Sequence, residues 1–154
     1  MNYIEWKTLN FSQLSTRQLY QMLQLRIAVF VVEQSCFYQD LDGKDHNDDT
    51  IHVLGYRGDN LVAYARLLAP DVSYPNMSSI GRVIVSEAGR GQGLGDQLIE
   101  QCLIKGEHDW PDRDIKISAQ QHLQSYYQKH GFITVSEMYL EDNIPHVAMC
   151  RAAN

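Results

Sequence analysis

Apolar positions along this chain alternate between two periods. Leu19, Met22, Leu23, Ile27 and Phe30 recur at helical spacing, with Arg26 on the same face. They follow Ser15-Thr16-Arg17-Gln18, a hydroxyl with a glutamine three residues later, which has the form of a capping box. The pattern predicts a helix running to about Val32. Tyr3 to Lys7 is a short candidate strand before it. Ile51 to Arg57 and Leu61 to Leu68 are strand-like runs joined by Gly58-Asp59-Asn60, a hairpin signal. Ile80 to Ser86 is rich in β-branched residues and reads as a buried strand. Behind it, Leu94, Leu98, Ile99, Cys102 and Leu103 mark a second helix, broken at Trp110-Pro111. Ile115 to Ala119 reads as another strand, and Leu123 to Lys129 as a short helix closed by Gly131. Phe132 to Leu140 and His146 to Arg151 form a last strand pair. The segments Glu33 to Asp49 and Pro70 to Ser78 have no clear period. The order β-α-β-β-β-α-β-α-β-β predicts one α/β domain over residues 1–154, built on a mixed sheet.

Between the buried strand and the second helix lies Arg90-Gly91-Gln92-Gly93-Leu94-Gly95. Strand, glycine turn and helix together aim backbone N–H groups and a helix dipole at an anion. The glycines allow a backbone and a close approach that a Cβ would hinder. No Lys-Ser or Lys-Thr follows in P-loop register, and G-x-G-x-x-G fails at Gly89, Gly91 and Gly93 alike. The reading is a phosphate cradle of the form R-x-x-G-x-G.

Composition narrows the partners. A net charge of −6 argues against nucleic acid and suits an amine. No apolar run approaches the ~20 residues of a membrane span, and the start lacks the order of a secretion signal. Cys36, Cys102 and Cys150 are scattered and odd in number, which predicts reduced thiols and a cytoplasmic location. Asp40-x-Asp42-Gly43-x-Asp45 places its glycine wrongly for a calcium loop. No histidine pair has metal spacing, so no metal is expected. The G-x-S-x-G elbow of a serine hydrolase is missing.

R-x-x-G-x-G resembles the pyrophosphate motif of the GNAT superfamily of N-acetyltransferases. So does Tyr127, four residues before Gly131-Phe132. Further stretches, among them L-Q-L-R-I-A-V-F-V-V-E-Q-S-C, Y-Q-D-L-D-G, I-G-R-V-I-V-S-E and N-I-P-H, resemble the ElaA-like subfamily over about Ile4 to Arg151. The resemblance implies the GNAT acyl-CoA N-acyltransferase fold, a mixed central sheet of about seven strands flanked by helices. It also implies acetyl-coenzyme A as co-substrate, with direct attack by an amine in a ternary complex. Val83, Ile84 and Val85 would bind pantetheine through their main chain. The amides of Arg90, Gly91, Gln92, Gly93, Leu94 and Gly95 would take the pyrophosphate. Gln120 stands where relatives carry an asparagine against the cofactor, and His122 lies beside it. Tyr127 would protonate the departing sulfur. Without the Gly131-Phe132 spacing, Tyr127 reads as a helix aromatic packed into the core with its hydroxyl satisfied.

The base is less defined, because Ser79 to Ser86 contain no carboxylate. Glu33 and a base acting through water are the alternatives. Asp40 and Asp42 lie where this fold builds its acceptor pocket. Arg82, a charge inside a strand, either pairs with an acid or binds a substrate carboxylate. The acceptor is a small-molecule or peptide amine, and a homodimer is the expectation for a soluble enzyme. The competing functions are a non-catalytic acetyl-coenzyme A sensor or scaffold and, more distantly, a nucleotide or phosphate-ester enzyme.

Overall fold

The computed structural model describes residues 3–154. Four antiparallel strands form the first sheet in the order β1-β2-β3-β4: β1 (Glu5–Asn10), β2 (Ile51–Arg57), β3 (Asn60–Leu68) and β4 (Ser79–Val85). β2 and β3 are buried on both faces, which is why they read as unbroken apolar runs instead of alternating ones. Leu54, Tyr56, Tyr64 and Ile84 pack toward Met22 of α1 (Thr16–Arg26). Val53, Ala63, Ala65 and Leu67 pack toward Leu98, Ile99 and Cys102 of α2 (Leu94–Asp109).

The capping box of α1 is fully formed. Gln18 N–H donates to Ser15 Oγ at 3.0 Å, and Ser15 N–H to Gln18 Oε1 at 2.8 Å. The helix continues as predicted, but from Ile27 to Glu33 it widens to a π-helix. Gln34 N–H reaches back to Val29 O, and Cys36 N–H to Val31 O. Such widened turns are rare and favour functional sites.

The second sheet is antiparallel, with β8 (Ile144–Arg151) between β5 (Ile115–Gln120) and the short strands β6 (Ile133–Thr134) and β7 (Tyr139–Glu141). The single strand expected from Phe132 to Leu140 is therefore two. Thr134 stands opposite Met149 and Tyr139 opposite His146, so five steps along one strand match three along the other. The surplus loops out, and Ser136 Oγ takes the Ala148 N–H in place of a ladder carbonyl. Among the described residues the count is eight strands instead of about seven.

One parallel bridge joins the sheets. Ser78 N–H donates to Asp114 O at 3.1 Å, and Lys116 N–H to Ser78 O at 2.9 Å. Beyond that point β4 and β5 part, leaving a cleft lined by unpaired strand edges. α3 (Gln124–Gln128) closes one side of it.

Candidate active site

The cleft is opened by a bulge in β4. Tyr64 pairs with Ile84 and Arg66 with Gly81, so Arg82 and Val83 together face Ala65. Arg82 takes φ +51°, a left-handed conformation costing a non-glycine residue about 1–3 kcal/mol. Ser86 N–H bonds to Val62 O, which fixes the alternation of the ladder. Ile84 consequently turns its main chain to β3 and buries its side chain. Val83 and Val85 turn their main-chain groups into the cleft.

Charge pairing holds Arg82 in place. Its Nε donates to Asp40 Oδ1 at 2.9 Å, and its Nη2 to Asp40 O at 3.0 Å and Asp42 Oδ2 at 3.4 Å. Beneath it Arg26, fully buried, donates to Asp40 Oδ2 (2.9 Å), Asp40 O (3.1 Å) and Asp45 Oδ1 (2.7 Å). Arg66 grips Asp42 with two parallel bonds of 2.9 and 2.8 Å and reaches Asp45 at 3.1 Å. Tyr38 O–H donates to Asp40 Oδ1 at 2.7 Å. Asp40 is therefore sealed under Arg82 and borders neither cavity described below, so, contrary to the expectation from the sequence, it does not stand where it could touch an acceptor directly. Asp42 and Arg82 do reach the cleft.

Burial alone would raise the carboxyl of Asp42, but the Arg66 guanidinium, the Lys44 amide and Arg82 hold it well below the usual carboxylate range. Asp45 is likewise lowered against its burial, by Arg26 and Arg66. His52 is held neutral by burial, which lowers its affinity for a proton. Its Nε2–H donates to Asp45 O at 3.0 Å, and Tyr64 O–H donates to its Nδ1 at 2.6 Å. The unfolded chain binds protons that these folded groups refuse, so stability falls with falling pH. The His52 loss begins as pH drops through about 6.5, and the aspartate loss below about 4. Urea midpoints measured from pH 7 to 3 should follow that course. An Asp45→Asn variant should show a shallower decline below pH 4; a slope equal to the parent's would contradict the assignment.

At the other end of the cleft the glycine turn takes the form expected of a cradle. Gly91 and Gly93 have φ of +79° and +75°, and Gly93 caps α2. The amides of Gly91, Gln92 and Gly93 have no acceptor among the described residues, and those of Leu94 and Gly95 belong to the open first turn of a helix. Gly95 is glycine for a second reason: a Cβ there would lie 3.1 Å from the Tyr126 hydroxyl, which bonds to Gly95 O. Arg90 spans the cleft. Its Nε donates to Val85 O at 3.1 Å, and its Nη2 to both oxygens of Glu33 at 3.1 and 3.0 Å. Gln92 meets Arg57 and the Ala88 carbonyl through its side chain.

Two cavities follow. A cavity of about 590 Å³ runs from the glycine turn along Val85 to Tyr127, with Glu33 and the exposed His122 on its border. A second, of about 260 Å³, lies against Arg82, Asp42 and Lys44. They share Phe30, Gln34, Val83, Gln120, Leu123 and Tyr127. Tyr127 is 7% exposed, its ring packed edge-on against Tyr126 and Phe132. Its hydroxyl donates to no protein acceptor among the described residues. Burial pushes that phenol above its ordinary value, so it stays protonated.

The sequence model of the acetyltransferase (GNAT) domain matches residues 12–152. The chain belongs to the GNAT family. Protein ElaA of Escherichia coli is 54% identical over 148 residues, covering 96% of each chain. The crystal structure of that ElaA superposes with a TM-score of 0.91, covering 96% of this chain and 99% of that one. An acyl-CoA N-acyltransferase from Pseudomonas aeruginosa, 49% identical, superposes at 0.92 over 97% of this chain and 99% of its own. This GNAT protein is thus ElaA-like, and acyl transfer from an acyl-coenzyme A to an amine is the activity of its class.

Of the residues expected from the sequence to hold a cofactor, Val83, Val85, Gln120, Tyr127 and the glycine turn border the larger cavity, except Gln92, whose side chain turns to Arg57 and Ala88 instead. Sequence reasoning passed over Arg26 and Arg66, although a charge on an apolar helix face and another inside an apolar strand were legible signs of a buried pair. It also passed over Gln34, Lys44 and Glu141, which no local pattern distinguishes. Among the described residues, no group of three or more His, Cys, Asp or Glu side chains is arranged to hold a metal ion. No helix among them is long and apolar enough to cross a membrane.

Proposed function

We propose that this protein is an acetyl-coenzyme A-dependent N-acetyltransferase working by direct attack in a ternary complex. The observation that carries the reading is the Tyr127 hydroxyl, unpartnered and standing where the two cavities meet. The free amides from Gly91 to Gly95 would receive the pyrophosphate, with Arg90 released from Glu33 to join them. Main-chain groups of Val83 and Val85 would bind the pantetheine arm. Gln120 would contact it from β5, and His122 would border it. The thioester carbonyl then lies between Val83 and Tyr127. An amine in the smaller cavity attacks that carbonyl, and the departing thiolate takes the phenolic proton.

Glu33 borders only the cofactor side and is occupied by Arg90. As a base it would need that pair broken when the pyrophosphate binds. Side chains of the smaller cavity able to take the amine's proton include His146, Glu141 and Asp142, directly or through water. Three unpaired thiols accord with action in the cytoplasm.

Thiol release from acetyl-coenzyme A with a panel of amines tests the activity. Tight binding with no turnover of any amine would instead favour a coenzyme A sensor or scaffold. Gly93→Val tests the cradle: a β-branched residue at φ +75° is a severe misfit. Calorimetry should show coenzyme A affinity falling about 10²-fold or more, equivalent to the loss of one or two charge-assisted bonds. Affinity within a few-fold of the parent's would remove the cradle.

A further inference from the structure

The smaller cavity carries its charges on opposite walls. On the first-sheet side the buried network is neutral, because Arg26, Arg66 and Arg82 are matched by Asp40, Asp42 and Asp45. Lys44 is then the surplus cation of that wall. Its ammonium donates to Ser73 Oγ at 3.0 Å and has no carboxylate within ion-pair distance among the described residues.

The facing wall is one face of the second sheet. Gln120 and Tyr139 stand opposite His146 on either side, and Glu141 follows two residues after Tyr139, so these side chains share that face. Ile144 O can only accept, so His146 Nδ1 carries the proton of their 2.7 Å bond and Nε2 faces the cavity wall. Nε2 lies 3.4 Å from Glu141 Oε2. Ser118 O–H also points its proton at Glu141, at 3.1 Å. Asp142 adds a second carboxylate to this side. The nearby Lys116 ammonium is directed over the Tyr74 ring, 5.0 Å from its centre. Among the described residues no lysine or arginine pairs with Glu141 or Asp142, and this wall begins at Gln120, which also borders the cofactor cavity.

Resting on the acetyltransferase reading, we infer that the acceptor is a small amino acid: an amine that also carries a carboxylate. Its ammonium lies on the Gln120, His146 and Glu141 wall, within reach of the thioester once deprotonated. Its carboxylate lies on Lys44 and Ser73. A cavity of about 260 Å³ falls at the lower limit of ligand pockets, about 300–1,000 Å³, and suits a molecule of that size.

The test titrates α-, β- and γ-amino acids, each beside its own carboxamide, into the protein loaded with coenzyme A. The same compounds are assayed for turnover with acetyl-coenzyme A. The best acid should bind about 10-fold or more tightly than its amide, the worth of one charge-assisted bond. Lys44→Met should lower the acid to the affinity of its amide, and Glu141→Gln should weaken both. The inference is overturned if no acid outbinds its amide, or if Lys44→Met leaves their ratio unchanged. Selective binding of acids without thiol release would overturn the acetyltransferase reading alone. Equal turnover of acids and amides would overturn the substrate class alone.

Discussion

Replacing Tyr127 with phenylalanine is expected to lower kcat about 10²-fold or more, with the dissociation constant of acetyl-coenzyme A changed less than about threefold. Only the hydroxyl is lost; the ring keeps its edge-on contacts with Tyr126 and Phe132, with centroids 4.9 and 5.9 Å away. The effect is large because, of the side chains described at the junction, Phe30, Gln34, Val83, Gln120 and Leu123 have no proton to give a leaving thiolate. A phenol raised by burial is a weak acid, but the same dry surroundings raise the thiol it must serve. The buried Cys102 thiol, pushed up to about 12 by burial, indicates how strongly this interior disfavours a thiolate. The two proton affinities rise together and the transfer remains feasible. Since the phenol stays protonated past its ordinary ~10, no loss of rate from its ionisation is expected below that pH. Turnover of the variant equal to the parent's would remove the acid role.

Replacing Arg26 with leucine should cost about 3–5 kcal/mol of stability. Two aspartates, Asp40 and Asp45, lose a guanidinium in a place water does not reach, and Asp40, which braces the bulge at Arg82, loses the group that positions it. The melting temperature should fall by about 6–20 °C, given ~2–4 °C per kcal/mol for a chain of this size. Arg26→Lys should recover only part of this, since an ammonium offers no planar fork for the three bonds made here. A melting temperature within about 2 °C of the parent's would show that the network is dispensable.

The outcome at Arg82 illustrates what can be read from a sequence. A charge inside a β-branched strand had to be paired or functional, and both remained open. The structure pairs it with Asp40 and Asp42 and leaves the side chain 22% exposed to the cavity. Neither acid is nearer than 40 residues in the chain, so no local period announces the contact. Phe132 to Leu140 shows a different shortfall. Its composition favours a strand throughout, but pairing is decided by β8, whose shorter run forces the chain to bulge at Val135 to Met138.

What the sequence determined by itself is whatever one segment can satisfy alone. The capping box of α1, the hairpin of β2 and β3, and the glycine turn before α2 each depend on neighbouring residues and backbone conformation. The family resemblance rests on the same local motifs, R-x-x-G-x-G and the Tyr127 spacing. Only the tertiary structure decided that Arg26, Arg66 and Arg82 share three aspartates, and that Lys44 faces Glu141 across a cavity. Charges act through space, and the separation of β4 from β5 beyond Ser78 sets which of them meet. The proposed phosphate cradle depends on a few consecutive amides, whereas the proposed acceptor site depends on two sheets.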